Sequence, residues 1–191
     1  MTAKLLIVDN YDSFTYNLVQ LIEEDGGCEF DIVKNDEIDF NKVVLYNKIL
    51  ITPGPGIPAE AGEILRLIKL YSKAKSIFGI CLGYQAIAEA FGGHLVQLPK
   101  VSHGISKKIK ILDERDYLFR GLPETFEVGL YHSWAVSVEK LPSCLKITAK
   151  ADDGTIMAIT HKVFDVKGVQ FHPESIMTAY GKKILSNWLN S

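Results

Sequence analysis

Apolar residues change their spacing several times along this chain, and each change predicts an element. Leu5 to Val8 is a short apolar run that follows Lys4 and ends at Asp9, which reads as a buried strand. From Ser13 the spacing is helical, with Phe14, Leu18, Leu21 and Ile22 on one face, and Gly26-Gly27 supplies the stop. Phe30 to Val33 is a second strand, and residues 37–46 are a weaker helical candidate. Lys48 to Thr52 is a third strand, after which Pro53-Gly-Pro-Gly-Ile-Pro58 forbids regular structure. Residues 59–74 read as a helix with Ile64, Leu67, Ile68 and Tyr71 on one face. Ser76 to Ile80 is a fourth strand, and residues 83–91 form a helix closed by Gly92-Gly93.

Strands alternating with helices over this first half predict βαβ units and a parallel sheet. The second half differs. Residues 105–112, 125–131, 144–150, 155–161 and 166–171 are β-rich runs separated by turn signals such as Asp152-Asp-Gly154. A last helix at about 178–190 carries Ile184, Leu185 and Trp188. The expected fold is a single α/β domain over residues 1–191. Its sheet is open and mostly parallel, flanked by helices, and continues into a β-rich second half.

Composition narrows the class. A chain of 191 residues fits one domain that buries roughly 70% of its unfolded surface. Lys+Arg is 21 and Asp+Glu is 23, for a net charge of −2, without the basic excess expected of a nucleic-acid binder. With 47% hydrophobic residues, disorder is not expected. Cys28, Cys81 and Cys144 are too few and scattered for a disulfide framework or a C-x-x-C zinc site. The apolar stretch near the N-terminus is too short for a signal peptide core, and no window approaches a membrane span. A soluble cytoplasmic protein is the expectation, with no membrane and no nucleic-acid partner.

Three segments could carry chemistry. Gly79-Ile-Cys81-Leu-Gly83 places a cysteine between two glycines where a strand meets a helix, the layout of a nucleophile elbow. The helix N-terminus at Leu82 favours the thiolate, and the Leu82 N–H is free to meet an oxyanion. The alternative is an inert, packed cysteine. Gly168-Val-Gln-Phe-His172-Pro-Glu174 ends an apolar strand in His-x-Glu, which suits a base and its orienting carboxylate. The alternative there is a surface turn with an incidental charge pair. Thr52-Pro-Gly54-Pro55-Gly56-Ile57 follows a third strand and lacks the Gly-Lys-Ser/Thr of a phosphate loop. Its glycines can present N–H groups to a substrate carbonyl, whereas Pro55 cannot. All three segments sit at predicted strand C-termini, where open α/β sheets place their sites.

These motifs, in this order and spacing, resemble class I, triad-type glutamine amidotransferase domains. Asp9-Asn-Tyr-Asp-Ser-Phe-Thr-Tyr-Asn17, Lys100-Val-Ser-His-Gly104 and Tyr131-His-Ser133 narrow the resemblance. They look like the glutaminase subunits of anthranilate and para-aminobenzoate synthases, over about residues 4–190. The resemblance implies that Cys81 attacks the glutamine side-chain amide, His172 moves the proton and Glu174 orients His172. It assigns oxyanion N–H groups to Gly54 and Leu82, with Pro55 and Gly56 on the same wall. Gln85 and the backbone of Ser133 and Trp134 would hold the amino-acid end of glutamine. It further implies a chorismate-binding synthase subunit as partner and recipient of the ammonia. No cofactor is expected in this chain, and magnesium is expected in that partner. The favoured product is anthranilate. The alternatives are 4-amino-4-deoxychorismate and, on the same fold, a stand-alone γ-glutamyl hydrolase or a non-catalytic subunit.

Three positions depart from the family pattern: Tyr84, Leu130 and Trp134. Tyr84 is expected to point away from the sulfur, Leu130 to alter the partner-facing surface, and Trp134 to matter only through its backbone. His94 and His161 read as structural or solvated, whereas His103 is a candidate for closing the site. No His/Cys/Asp set has zinc-ligand spacing. Asp9 and Asp12 read as a strand-end site and a helix N-cap. Cys28 and Cys144 read as packed small side chains, and Lys107-Lys108 and Lys182-Lys183 as solvated faces.

Overall fold

A computed structural model describes residues 4–26 and 28–191. Gly27 and the first three residues lie outside the described residues, as does the Lys100 side chain. The expectations on Gly27 and the extreme N-terminus fall there.

In chain order the elements are β1 (Lys4–Asp9), α1 (Thr15–Asp25), β2 (Glu29–Lys34), β3 (Lys48–Ile51), α2 (Ile64–Tyr71), β4 (Ser76–Ile80) and α3 (Leu82–Ala90). They continue with β5 (Leu95–Ile111), β6 (Thr125–Val136), β7 (Leu145–Ala151), β8 (Ile156–His161), β9 (Val166–Val169) and α4 (Gly181–Leu189). The described residues build one nine-stranded sheet in the order β2-β1-β3-β4-β9-β8-β7-β5-β6. From β2 to β9 the pairings are parallel, and from β9 to β6 they are antiparallel.

The inner parallel strands β1, β3 and β4 are apolar at successive positions because both of their faces are covered, whereas the edge strand β2 is largely exposed. Leu5 and Ile7 of β1, Leu50 of β3 and Phe78 of β4 pack with Leu18 and Ile22 of α1 and with Ile184, Leu185 and Trp188 of α4. The alternate residues, Leu6, Val8, Ile49, Ile51 and Ile77, pack with Ile64, Leu67 and Ile68 of α2 and Ile87 of α3. Gly26, at φ +69, ends α1 as the sequence suggested, in the left-handed conformation that costs glycine little.

Several expected boundaries differ. Residues 37–46 hold only a one-turn 3-10 helix at Val43–Leu45. The Asp39 carboxylate accepts the Asn41 N–H at 3.0 Å, a local turn that competes with helix. The helix expected over 59–74 is split into a 3-10 turn at Pro58–Glu60 and α2 from Ile64. Gly62 causes the break: at φ +56 it lies against the Asn35 carbonyl, with its missing Cβ position 2.6 Å from that oxygen. In the second half β5 begins ten residues earlier than expected, at Leu95 rather than 105. Pro99 and Gly104 punctuate that stretch, and the strand absorbs them as register shifts against β6 between Gln97 and Ser102 and between His103 and Ile105. β6 runs on to Val136, β9 stops at Val169, and α4 starts at Gly181.

Candidate functional site

The C-terminal ends of four parallel strands meet around Cys81. Cys81 follows β4 directly, at φ 52 and ψ −100, outside the conformations an L-residue adopts freely. Such a geometry costs about 1–3 kcal/mol and is held by its surroundings. Here the Cys81 N–H donates to the Val169 carbonyl at 2.9 Å, and its carbonyl accepts the Gln85 N–H at 3.0 Å. The flanking glycines let backbones touch. A Cβ on Gly79 would lie 2.4 Å from the Gly83 carbonyl, and one on Gly83 would lie 2.3 Å from the Ile51 carbonyl. They thus seat α3 on β3 and β4.

The loop after β3 is braced from β1. The Asn10 side chain donates to the Thr52 carbonyl at 2.7 Å, and the Asn10 N–H donates to the Thr52 hydroxyl at 3.0 Å. Gly54 lies against both Asn10 and Leu82, with its missing Cβ position 2.5 Å from the Asn10 Cβ and 2.7 Å from the Leu82 Cδ2. Among the described residues no acceptor takes the N–H of Gly54 or Gly56. Leu82 is the first residue of α3, so its N–H has no partner one turn back.

His172 sits just past β9, at the boundary with β6. Its N–H donates to the Gly129 carbonyl at 3.1 Å, and its carbonyl accepts the Thr178 hydroxyl at 2.7 Å. The Thr178 hydroxyl in turn accepts the Gly129 N–H at 2.9 Å. The His172 Nδ1 and Glu174 Oε1 are 2.6 Å apart, both side chains almost wholly buried. Burial opposes the imidazolium. Hydrogen bonding and negative charge from Cys81 and Glu174 outweigh it and raise His172 to about 10. The His172 Nε2 is buried with no aligned hydrogen-bond partner among the described residues. Cys81 is therefore near enough to bias the imidazole without being aligned with it, a common state of ligand-free sites.

Two clefts meet at Cys81. One, of about 160 Å³, is lined by Gly54, Pro55, Gly56, Cys81, Gln85, Ser133 and Trp134, together with Tyr131 and His132. All the residues expected around the substrate except Leu82 thus share one wall. Leu82 itself is buried, with its side chain against Gly54. The second cleft, of about 300 Å³, is lined by the 11–14 segment, Pro53, Gly54, Pro55, Cys81, His103, Tyr131 and His172. His103 packs edge-on against Tyr131 there, at the opening where it was a candidate.

The Tyr84 hydroxyl donates to the Ile156 carbonyl at 3.1 Å, away from the sulfur. Leu130 is fully buried in the core, so it does not alter an outer surface as expected. Asp9 closes the turn after β1 by accepting from the Tyr11 N–H at 2.8 Å and the Thr15 hydroxyl at 2.9 Å. Asp12 accepts the Phe14 N–H at 2.8 Å one step before α1, although the N-cap position itself is Phe14. His161 accepts two backbone N–H groups and stacks on Phe164. Lys107 is not simply solvated, because it is half-buried and pairs with Asp153.

Sequence reasoning missed Gln170. It is fully buried, and its Nε2 lies 3.6 Å from the Cys81 Sγ. The signal was its position two residues before His172 in a run expected to be extended over 166–171. Asn10 was also missed, because a buried asparagine has no periodic signature.

A strained cysteine at a strand–helix elbow, a buried His–Glu pair and N–H groups without acceptors thus meet at one end of the sheet of an α/β protein. The model of the glutamine amidotransferase class-I family matches residues 6–191, and this chain belongs to that family. It is 43% identical to the aminodeoxychorismate/anthranilate synthase component 2 of Bacillus subtilis, covering 98% of this chain and 96% of that protein. It is 42% identical to the aminodeoxychorismate synthase component 2 of Escherichia coli, over 97% of this chain and 99% of that one. A solved glutamine amidotransferase from Thermotoga maritima superposes over 100% of this chain and 97% of its own, with TM-score 0.81 at 14% identity, a likeness of fold alone. No helix among the described residues is long and apolar enough to cross a membrane.

Proposed function

We propose that this chain is the glutaminase subunit of a chorismate-using synthase, acting through Cys81, His172 and Glu174. The observation that carries the reading is the backbone of Cys81. A φ of 52 on a buried cysteine is costly, and this strained residue lines one cleft with Gly54, Gln85 and Trp134.

His172 takes the Cys81 thiol proton, and the sulfur attacks the glutamine side-chain carbonyl carbon, forming a C–S bond and pushing charge onto oxygen. The Gly54 and Leu82 N–H groups receive that charge, and one such donor is worth about 10²–10³ in rate. Collapse breaks the C–N bond while His172, held by Glu174, delivers a proton to the departing ammonia. His172 then takes a proton from water, which attacks the thioester. Breaking the C–S bond releases glutamate and restores the cysteine.

The ammonia passes to a chorismate-binding partner, with anthranilate as the favoured product. A relative bearing the aminodeoxychorismate name and one bearing the anthranilate name are both 42% identical to this chain, and one at 43% bears both names. This supports a second reading in which the same subunit serves 4-amino-4-deoxychorismate synthesis. Magnesium, where required, belongs to the partner.

The test is covalent labelling with a glutamine-mimicking electrophile, mapped by peptide mass spectrometry. Modification confined to Cys81 and blocked by excess glutamine is expected. No Cys81 labelling with the chorismate-binding subunit present would overturn the reading. Turnover of γ-glutamyl peptides by the isolated chain would favour a stand-alone hydrolase.

A further inference from the structure

A single backbone carbonyl fixes the direction of every hydrogen bond behind the sulfur. The Trp134 carbonyl can only accept. The Gln85 Nε2 lies 2.9 Å from it, so the Gln85 amide must turn its NH₂ that way. The same NH₂ is 3.1 Å from the Gln170 carboxamide, so the atom of Gln170 facing it is the carbonyl oxygen. The Gln170 NH₂ is then left facing the Cys81 Sγ at 3.6 Å. Turning the Gln170 amide over would set two NH₂ groups against each other in a fully buried site. The sulfur is thus confronted by a donor that cannot become an acceptor.

We propose that Gln170 is a further catalytic residue, a fixed hydrogen-bond donor that favours negative charge on the Cys81 sulfur. Gln85 is the positioning residue that holds it in the donating orientation. The inference rests on the reading of Cys81 as the nucleophile. A donor to a charged acceptor gains more than a donor to a neutral one, so the bond strengthens as the thiol loses its proton. The same charge returns when the thioester C–S bond breaks, so one donor serves both halves of the reaction. Gln85 then does more than line the substrate cleft: both of its N–H groups are already committed to Trp134 and Gln170.

The experiment is the pH profile of Cys81 alkylation by iodoacetamide in the full chain, for wild type and Gln170→Met. Methionine keeps much of the volume and removes the donor. The acid limb of the profile is expected to move alkaline by about one pH unit, and kcat/KM for glutamine to fall about tenfold. Alkylation well above the limb should match wild type. Gln85→Met should move the limb the same way by less, because it only frees the Gln170 amide to turn. Where Gln170→Met does not fold, Gln170→Glu keeps the shape and replaces the donor by an acid, and again an alkaline shift is expected. A limb that stays in place while activity falls would overturn the proposal and leave Gln170 a packing residue. Failure of wild-type Cys81 to be alkylated selectively would instead strike the nucleophile reading itself.

Discussion

The two halves of the sheet contribute differently to the same site. In the parallel half, helices cover both faces, and the strand ends deliver single groups: Asn10 after β1, the Gly54 loop after β3, Cys81 after β4 and His172 after β9. In the antiparallel half, one long ribbon with two register shifts presents a continuous stretch, Tyr131 to Trp134, as a wall. Groups proposed to react follow the ends of parallel strands, Cys81 directly after β4 and His172 three residues past β9. Groups proposed to hold substrate lie along a strand whose backbone does the contacting. β9 is the seam, parallel to β4 on one side and antiparallel to β8 on the other, and His172 sits just past its end.

If that division is sound, changes at the parallel strand ends should lower kcat, and changes along the ribbon should act on KM except at Gly129, where the ribbon bonds the His172 segment. The largest effect is expected at Cys81. Cys81→Ser should reduce glutamine-dependent turnover in the assembled synthase by about 10⁶, with synthesis from added ammonium salt persisting. Glu174→Gln should cost about 10⁴ or less, because an orienting group is partly redundant. Equal losses in folded protein would erase the distinction between reacting and orienting groups. Glu174→Gln also has a pH signature. His172 is raised from 6.5 to about 10 in the fold, so its contribution to stability is full below 6.5 and lost as pH rises through about 10. Replacing its carboxylate partner should therefore lower Tm more at neutral pH than above about 10, read by thermal melts across that range.

A smaller effect is expected at the seam. Gly129 on β6 holds the His172 segment by two backbone contacts, and a Cβ there would lie 2.6 Å from the Ser175 Oγ and 3.0 Å from its Cβ. Gly129→Ala should displace residues 172–177 and cost about 1–3 kcal/mol of stability. It should also lower kcat about tenfold through misplacement of His172, measured by steady-state kinetics beside a denaturation curve. An unchanged kcat would show that the ribbon does not position the base.

The same contrast explains what the sequence made legible. The inner parallel strands read clearly because burial on both faces turns them into unbroken apolar runs, as in Leu5–Val8 and Ile49–Ile51. The elbow and the His-x-Glu turn read clearly because their chemistry needs particular residues at fixed spacing. Residues 95–104 did not, because Pro99 and Gly104 look like breaks when a ribbon with register shifts can absorb them. Gln170 and Asn10 did not, because a buried polar side chain is specified by its partners, and those partners, Gln85 and Thr52, are far away in sequence.

The smallest effect is expected at Trp134, and it tests the ribbon's half of the comparison most sharply. Its carbonyl accepts from the Gln85 side chain at 2.9 Å and from the His132 Nδ1 at 2.8 Å, so this residue enters the site through its backbone. Its side chain is half-buried and carries none of those bonds. Trp134→Ala keeps the carbonyl and therefore the orientation of both amides behind it. KM for glutamine should rise no more than about threefold and kcat should hold, because only apolar packing at the cleft rim is removed. A tenfold or larger fall in kcat, in a variant that melts like wild type, would mean that the indole itself holds the strand in register, and the wall would no longer be a purely backbone device.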